Sequence, residues 1–147
     1  GLLLDYSEVE FALAEAVERG FSVGGTAATH YNNAVTASIT YWGGSAGDAI
    51  AYLAQPSVAY ATATGTYKQK IGNQLYIALY NRGLDEWIAQ RRLDFPVITA
   101  PTTALSEYPV RFTYPVKEQN VNQPNYEAAS AAMGGDLVTS KLFWDKF

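Results

Sequence analysis

The sequence contains no cysteine and only one histidine among its 147 residues. Without cysteine there is no disulfide, no thiolate metal ligand and no cysteine nucleophile. A metal site needs several protein ligands, and His30 has no second imidazole to join it. No sequence motif for a serine nucleophile accompanies it either. We therefore predict no metal, no cofactor and no catalytic residue, and we interpret His30 as a residue at the start of a helix.

Positive charge is also sparse. Ten lysines and arginines stand against fourteen aspartates and glutamates, and the longest basic cluster is Arg91-Arg92. A nucleic-acid surface normally requires a positive stripe, so this class of partner is excluded. No run of apolar residues is long enough to span a bilayer. An acidic surface is still compatible with a neutral ligand such as a sugar.

Aromatic residues, in contrast, are abundant, with eleven tyrosines and three tryptophans. These side chains have an apolar body and a polar tip, which suits both wet binding surfaces and helix packing. Tyr41 and Trp42 lie where a predicted helix ends, and they are the first candidates for ligand contact. Tyr52 and Tyr60 are the next two. A place in the core is the more frequent use of such rings, even for Tyr41 and Trp42.

Hydrophobic periodicity predicts a mainly α fold. A first helix ends at Gly20, and a second runs from a Thr26 cap to Trp42. Because a short loop joins them, the two helices should form an antiparallel hairpin. In the first helix the apolar stripe consists of Leu2, Tyr6, Val9, Leu13, Ala16 and Gly20. If this stripe forms the seam, Val9→Asp or Leu13→Asp would unfold the hairpin.

Downstream of the hairpin, a short helix is predicted over 48–55 and one long helix over 67–92, with Gly83 as a possible kink. The predicted buried side of the long helix comprises Ile71, Leu75, Ala78, Leu79, Trp87 and Ile88. Five of the six prolines then lie between residues 96 and 124. This segment should be extended and irregular, with little β structure beyond short pairing over 110–114 and a short helix over 125–133.

These elements are interpreted as one domain, 1–147. It consists of a helical hairpin (1–43), a short and a long helix (48–92), and an extended tail with a short helix (93–147). The hairpin has the size of one unit of a helical repeat array. Because about three units are usual in a stable array, we expect further units before residue 1.

Five sequence blocks occur in an order that is typical of one protein family. The most specific runs from Ile71-Gly72-Asn73-Gln74 through Asp85-Glu86-Trp87 to Arg91-Arg92 and Pro96. It resembles the QKW-x-ALF…EAW-x-x-x-RR-x-x-x-P helix of SusD/RagB-type proteins, although Leu75-Tyr76 replaces the usual Lys-Trp pair. The other blocks are Tyr6 to Phe21, Tyr31 to Trp42, Tyr52 to Tyr60, and Arg111 to Asn122 with its Tyr114-Pro115.

The resemblance implies a tetratricopeptide-like helical fold and a protein that binds without catalysis. Family members capture an oligosaccharide or polysaccharide at the cell surface and deliver it to a SusC-like TonB-dependent transporter. They belong to the outer membrane, to which an N-terminal lipid anchor attaches them. This sequence contains no such anchor, so the resemblance implies that it is the C-terminal portion of a larger protein.

Two other functions are weighed against glycan binding. Helical repeat arrays commonly bind peptides, so a peptide-binding or protein-interaction module is the alternative. A glycoside hydrolase would need a facing pair of carboxylates, but the adjacent Asp85 and Glu86 diverge on a helix. We expect Glu15 to pair with an arginine as a structural group. For Arg91-Arg92 and Arg111 a structural role is favoured over recognition of an anionic sugar.

Overall fold

The computed structural model describes residues 2–145, which contain seven α-helices and no β-strand. A mainly α fold is therefore confirmed. Residues 2–96 and 97–145 each form a compact unit; that the chain is a single domain stays a prediction. The helices are α1 (Tyr6–Glu18), α2 (Ala27–Tyr41), α3 (Ala46–Leu53), α4 (Tyr67–Ala78), α5 (Gly83–Leu93), α6 (Val116–Val121) and α7 (Gln123–Ala132).

The first four helices begin at residues whose side chains cap free backbone N–H groups. Asp5 caps α1 by accepting from the Glu8 N–H, and Thr26 caps α2, as its sequence position predicts. Ser45 and Thr66 do the same for α3 and α4. Each of these four helices therefore begins next to a capping residue that can be recognised in the sequence.

Helices α1 and α2 form the predicted antiparallel hairpin. Their contacts run in opposite directions along the chain: the Ser7 hydroxyl donates to the Ala34 carbonyl, whereas Phe11 packs edge-on against Tyr31 with ring centroids 6.1 Å apart. The Tyr31 hydroxyl donates to the Val58 carbonyl at 2.8 Å, and burial raises the pKa of this tyrosine. The largest fully buried side chains of this unit are Tyr31, Phe11, Ile71, Leu79 and Leu93.

The face of α1 that packs against α2 is not the one that the apolar stripe predicts. Val9 is 38% exposed and Tyr6 is 60% exposed, so the stripe prediction was wrong. The buried residues of α1 are instead Ser7, Glu10, Phe11, Ala14 and Glu15. Polar groups can occupy a buried face when every one of them has a hydrogen-bond partner. The stripe prediction treated glutamate as a solvent-facing residue, and for this reason it assigned the wrong face of α1 to the contact with α2.

The predicted long helix over 67–92 is also wrong, because a turn divides it into α4 and α5. Asn81 has φ +68°, a left-handed conformation that no helix interior contains but that asparagine tolerates better than most residues. The Arg82 N–H donates to the Leu79 carbonyl and closes the turn. Because α5 starts again at Gly83, the helical phase changes, and Ile88 is 42% exposed instead of buried.

One close approach fixes α4 against the chain that follows α5. A Cβ added at Gly72 would lie 2.9 Å from the carbonyl oxygen of Phe95, closer than real Cβ contacts. Glycine at this position therefore lets the backbone of residue 95 lie directly on the helix.

The second unit is held mainly by polar contacts. Among its described residues no apolar side chain is buried, whereas Arg111 and Asp145 are. Arg111 Nη1 donates to Asp136 Oδ1 at 2.6 Å, and the Tyr114 N–H donates to the same carboxylate. The pairing predicted over 110–114 is limited to two N–H bonds to the Val138 carbonyl. Helix α7 corresponds to the short helix predicted over 125–133, and α6 precedes it without having been predicted.

Candidate ligand-binding site

Three exposed aromatic rings meet where the C-terminal end of α2 lies beside the turn between α4 and α5. The rings of Tyr41 and Trp42 are 5.2 Å apart between centroids, and those of Trp42 and Tyr80 are 5.4 Å apart, both in edge-on geometry. Tyr41 is 59%, Trp42 50% and Tyr80 65% exposed. These rings therefore form a surface cluster instead of part of the core.

A pocket of about 320 Å³ lies beside these rings, and we call it the aromatic pocket. Arg82 forms its polar edge: Nη1 donates to Glu8 Oε2 at 3.0 Å and Nη2 to Asp5 Oδ2 at 3.2 Å. The Arg82 side chain is only 12% exposed, so this fork is held in place. The pocket is lined by Leu2, Asp5, Tyr41, Trp42, Ala78, Tyr80, Asn81 and Arg82.

This combination of groups suits a ligand with an apolar face and polar edges. Flat rings cover apolar C–H surface, while a few fixed polar groups orient hydroxyls. Asp5 is the one carboxylate in the lining, and it already accepts from the Glu8 N–H and from Arg82. The arrangement is therefore equipped to bind and orient a molecule, and it presents no facing pair of carboxylates for hydrolysis.

Tyr52 lies in a different pocket, which we call the α2–α4 pocket, with a volume of about 480 Å³. Its hydroxyl lies 3.2 Å from Oε1 and 3.1 Å from Nε2 of Gln74. The lining residues are Val35, Ser38, Ile39, Asp48, Ala51, Tyr52, Gln55, Gln74 and Ile77.

Tyr60 lies in neither pocket. Its ring packs 5.0 Å from that of Tyr31, and its hydroxyl donates to Glu18 Oε1 at 2.6 Å. Burial, followed by the bond to Glu18, raises its pKa. Of the four aromatic residues proposed from the sequence, the structure brings together only Tyr41 and Trp42.

Sequence reasoning missed the other half of the aromatic pocket. Tyr80, Asn81 and Arg82 were assigned to the interior of a long helix, where they would not converge on α2. The signal that could have found them is the Asn81-Arg82-Gly83 sequence, since asparagine and glycine so close together are typical of turns. The long-range bond from Arg82 to Asp5 has no local sequence signal.

Arg19, Arg91 and Arg92 contact other side chains of the same unit. Arg92 pairs with Glu15, which also accepts from Arg19 Nε at 2.9 Å, so the expected Glu15–arginine pair is present. The Arg91 guanidinium lies 3.9 Å from the Trp87 ring centroid. The guanidinium groups of Arg19, Arg91 and Arg92 therefore all have contacts within the protein.

His30 joins α1, α2 and the loop between them. Its Nδ1 lies 2.6 Å from Glu10 Oε2, and its Nε2 lies 2.8 Å from the Gly24 carbonyl oxygen. Because both partners are acceptors, the doubly protonated ring satisfies both contacts. The Gly24 carbonyl and the Glu10 carboxylate raise the pKa of His30. Burial opposes ionisation of Glu10, but hydrogen bonds from Tyr6 and His30 lower its pKa overall.

We expect the stability of this unit to depend on pH through this pair. The His30 contribution is complete below its ordinary pKa of 6.5 and is lost as pH rises through the raised value. The Glu10 contribution is complete above 4.5 and is lost as pH falls through the lowered value. Melting temperatures of the parent should fall towards alkaline pH, and those of His30→Gln should change less. Parallel curves for the two proteins would contradict this assignment.

Comparisons with known proteins bear on the family and the fold of the chain. A SusD-like family model, described as "Starch-binding associating with outer membrane", matches residues 1–115. A search of the curated proteins found no match. Within residues 2–145 no helix combines the length and apolar character needed to cross a bilayer, and no group of three or more acidic or histidine side chains could hold a metal.

Solved structures of similar proteins show the same fold. A Bacteroidetes SusD-like protein is 30% identical with a TM-score of 0.83, and a chitin-binding protein is 34% identical with a TM-score of 0.78. Both matches cover 100% of this chain but only 31% and 34% of those proteins. A SusD homologue from Bacteroides thetaiotaomicron is 24% identical, covers 96% of this chain and 37% of its own, and supports the fold alone with a TM-score of 0.75.

Proposed function

Since this chain belongs to the SusD-like family, whose members bind carbohydrate without catalysis, we propose that the protein captures a neutral oligosaccharide or polysaccharide. In this proposal the aromatic pocket contacts the glycan. The observation that carries the assignment is the convergence of Tyr41, Trp42 and Tyr80 beside a fixed polar edge at Asp5 and Arg82. The aromatic rings match the apolar C–H face of a sugar, and the polar edge at Asp5 and Arg82 matches its hydroxyl groups.

The cargo and its fate are part of the same proposal. The family description includes starch, and one relative is described as chitin-binding, so both polymers are candidate ligands. We propose that a SusC-like TonB-dependent transporter receives the glycan. We also propose that the protein acts at the cell surface and that a lipid anchor holds it on the outer membrane.

We expect Trp42→Ala to weaken glycan binding by about 1–3 kcal/mol, the usual loss for an aromatic anchor. Because Trp42 is half exposed, its removal should cost less stability than the roughly 3–5 kcal/mol of a buried ring. Calorimetric titration with maltoheptaose and with an N-acetylglucosamine oligomer, paired with thermal melts, measures both effects.

Phe21→Ala is the matched control, because Phe21 is 64% exposed and does not line the pocket. It should leave affinity unchanged. Equal losses from the two variants would show that the aromatic pocket is not the site. Binding of peptides but of no glycan by the parent would refute the function itself.

A further inference from the structure

The α2–α4 pocket combines an apolar wall with amide and hydroxyl groups. The wall is formed by Val35, Ile39, Ala51 and Ile77, and the polar groups are those of Ser38, Asp48, Tyr52, Gln55 and Gln74. Its volume of about 480 Å³ is within the range of small-molecule sites.

This pocket adjoins the aromatic pocket along the same two helices. On α2, Ser38 lines one pocket and Tyr41, three residues further on, lines the other. On α4 the consecutive residues Ile77 and Ala78 divide in the same way. One helical turn rises about 5.4 Å, so Ser38 and Tyr41 lie within about one turn of each other along α2.

The polar groups of the α2–α4 pocket favour an amide over a hydroxyl. Gln74 contacts Tyr52 at 3.1–3.2 Å, and a glutamine amide has two donors and an acceptor, so it retains bonding capacity for a ligand. Gln55 offers a second amide. An acetamido group presents one N–H, one carbonyl and a methyl group, and the methyl would bury against Ile39 and Ile77. A glucose unit has a hydroxyl in place of the acetamido group, and a hydroxyl has no methyl group to bury against Ile39 and Ile77.

Asp48 is the one carboxylate in the lining. It accepts from the hydroxyl and the N–H of Ser45, and those bonds lower its pKa. Its carboxylate belongs to the cap of α3. An amino sugar carries an ammonium group, which this carboxylate would attract. An N-acetylated sugar is neutral and would instead contact the other lining residues of the pocket.

We propose that the α2–α4 pocket binds the acetamido group of an N-acetylhexosamine unit while a neighbouring unit of the same glycan stacks on the aromatic pocket. The inference rests on the proposed function, because it gives the captured glycan an N-acetylated unit. It assigns the selection of that unit to Gln74, Gln55 and the wall of Ile39 and Ile77.

The test compares three tetrasaccharides with the same β-1,4 backbone on the intact protein: those of N-acetylglucosamine, of glucose and of glucosamine. We expect the N-acetylglucosamine tetramer to bind roughly tenfold or more tightly than the glucose tetramer, the scale of discrimination by one well-matched group. Ala51→Phe should fill the pocket and remove the difference in affinity between the acetylated and the glucose tetramers. Ala54→Phe, at an exposed residue outside the lining, is the matched control.

The outcomes separate the inference from the function. Equal affinity for the acetylated and glucose tetramers overturns the inference and leaves the proposed function intact. Tightest binding of the glucosamine tetramer also overturns it, in favour of attraction to Asp48. If no glycan binds, the proposed function itself fails. If Ala51→Phe does not fold, the three titrations of the unmodified protein still decide.

Discussion

Phe11→Asp is expected to unfold the helical unit of residues 2–96. Phe11 is 1% exposed and packs against Tyr31 in the core. Loss of the ring costs about 3–5 kcal/mol, and burial of a carboxylate without a partner costs several more. Together these losses are comparable to the whole stability of a domain, about 5–15 kcal/mol. Circular dichroism melts should show a lost or strongly shifted transition.

Val9→Asp is the matched control on the same helix. Val9 was assigned to the seam from the apolar stripe, yet it is 38% exposed. An exposed substitution away from special features changes stability by about 0.5 kcal/mol or less. A melting temperature that drops as far in Val9→Asp as in Phe11→Asp would restore the original seam and contradict the packing described above.

Arg111→Ala is expected to open the second unit without unfolding the first. The guanidinium and the Asp136 carboxylate are 6% and 5% exposed and lie 2.6 Å apart. Removal of one partner leaves the other charge buried, which is strongly destabilising. Hydrogen exchange at the Tyr114 amide, which donates to Asp136, should accelerate by roughly a hundredfold. Amides of α1 and α2 should keep their protection.

The control for this variant is Gln123→Ala, which removes an exposed hydrogen bond to Glu127 within α7. Exchange in the second unit should be nearly unchanged, because exposed bonds of this kind contribute little. If Arg111→Ala also left hydrogen exchange in the second unit unchanged, the ion pair would not be what stabilises this unit.

The helices and their starting points were largely predictable, because their causes are local. Asp5 and Thr26 cap the backbone within three residues of themselves, and a short loop requires an antiparallel hairpin. Which face of α1 is buried was not predictable in this way. Glu10 and Glu15 become buried through partners twenty and more residues away, at His30 and Arg92, and periodicity does not contain that information.

The residues of the candidate site also differ in whether the sequence could predict them. Tyr41 and Trp42 could be proposed from their position at a helix end. Tyr80 could not, because a single left-handed residue, Asn81, converts an apparently continuous helix into the turn that presents it. Arg82 reaches Asp5 across 77 residues of sequence. Sites assembled by such distant contacts require the folded structure.

The three roles of Asp5 have a consequence for redesign of the site. This residue caps α1, holds Arg82 and lines the aromatic pocket at the same time, so its replacement would disturb the hairpin together with the proposed ligand site. Tyr41, Trp42 and Tyr80 carry no comparable structural duty, since each is at least half exposed. A directed library that varies these three rings and keeps Asp5 and Arg82 constant should therefore change ligand preference while retaining a folded scaffold.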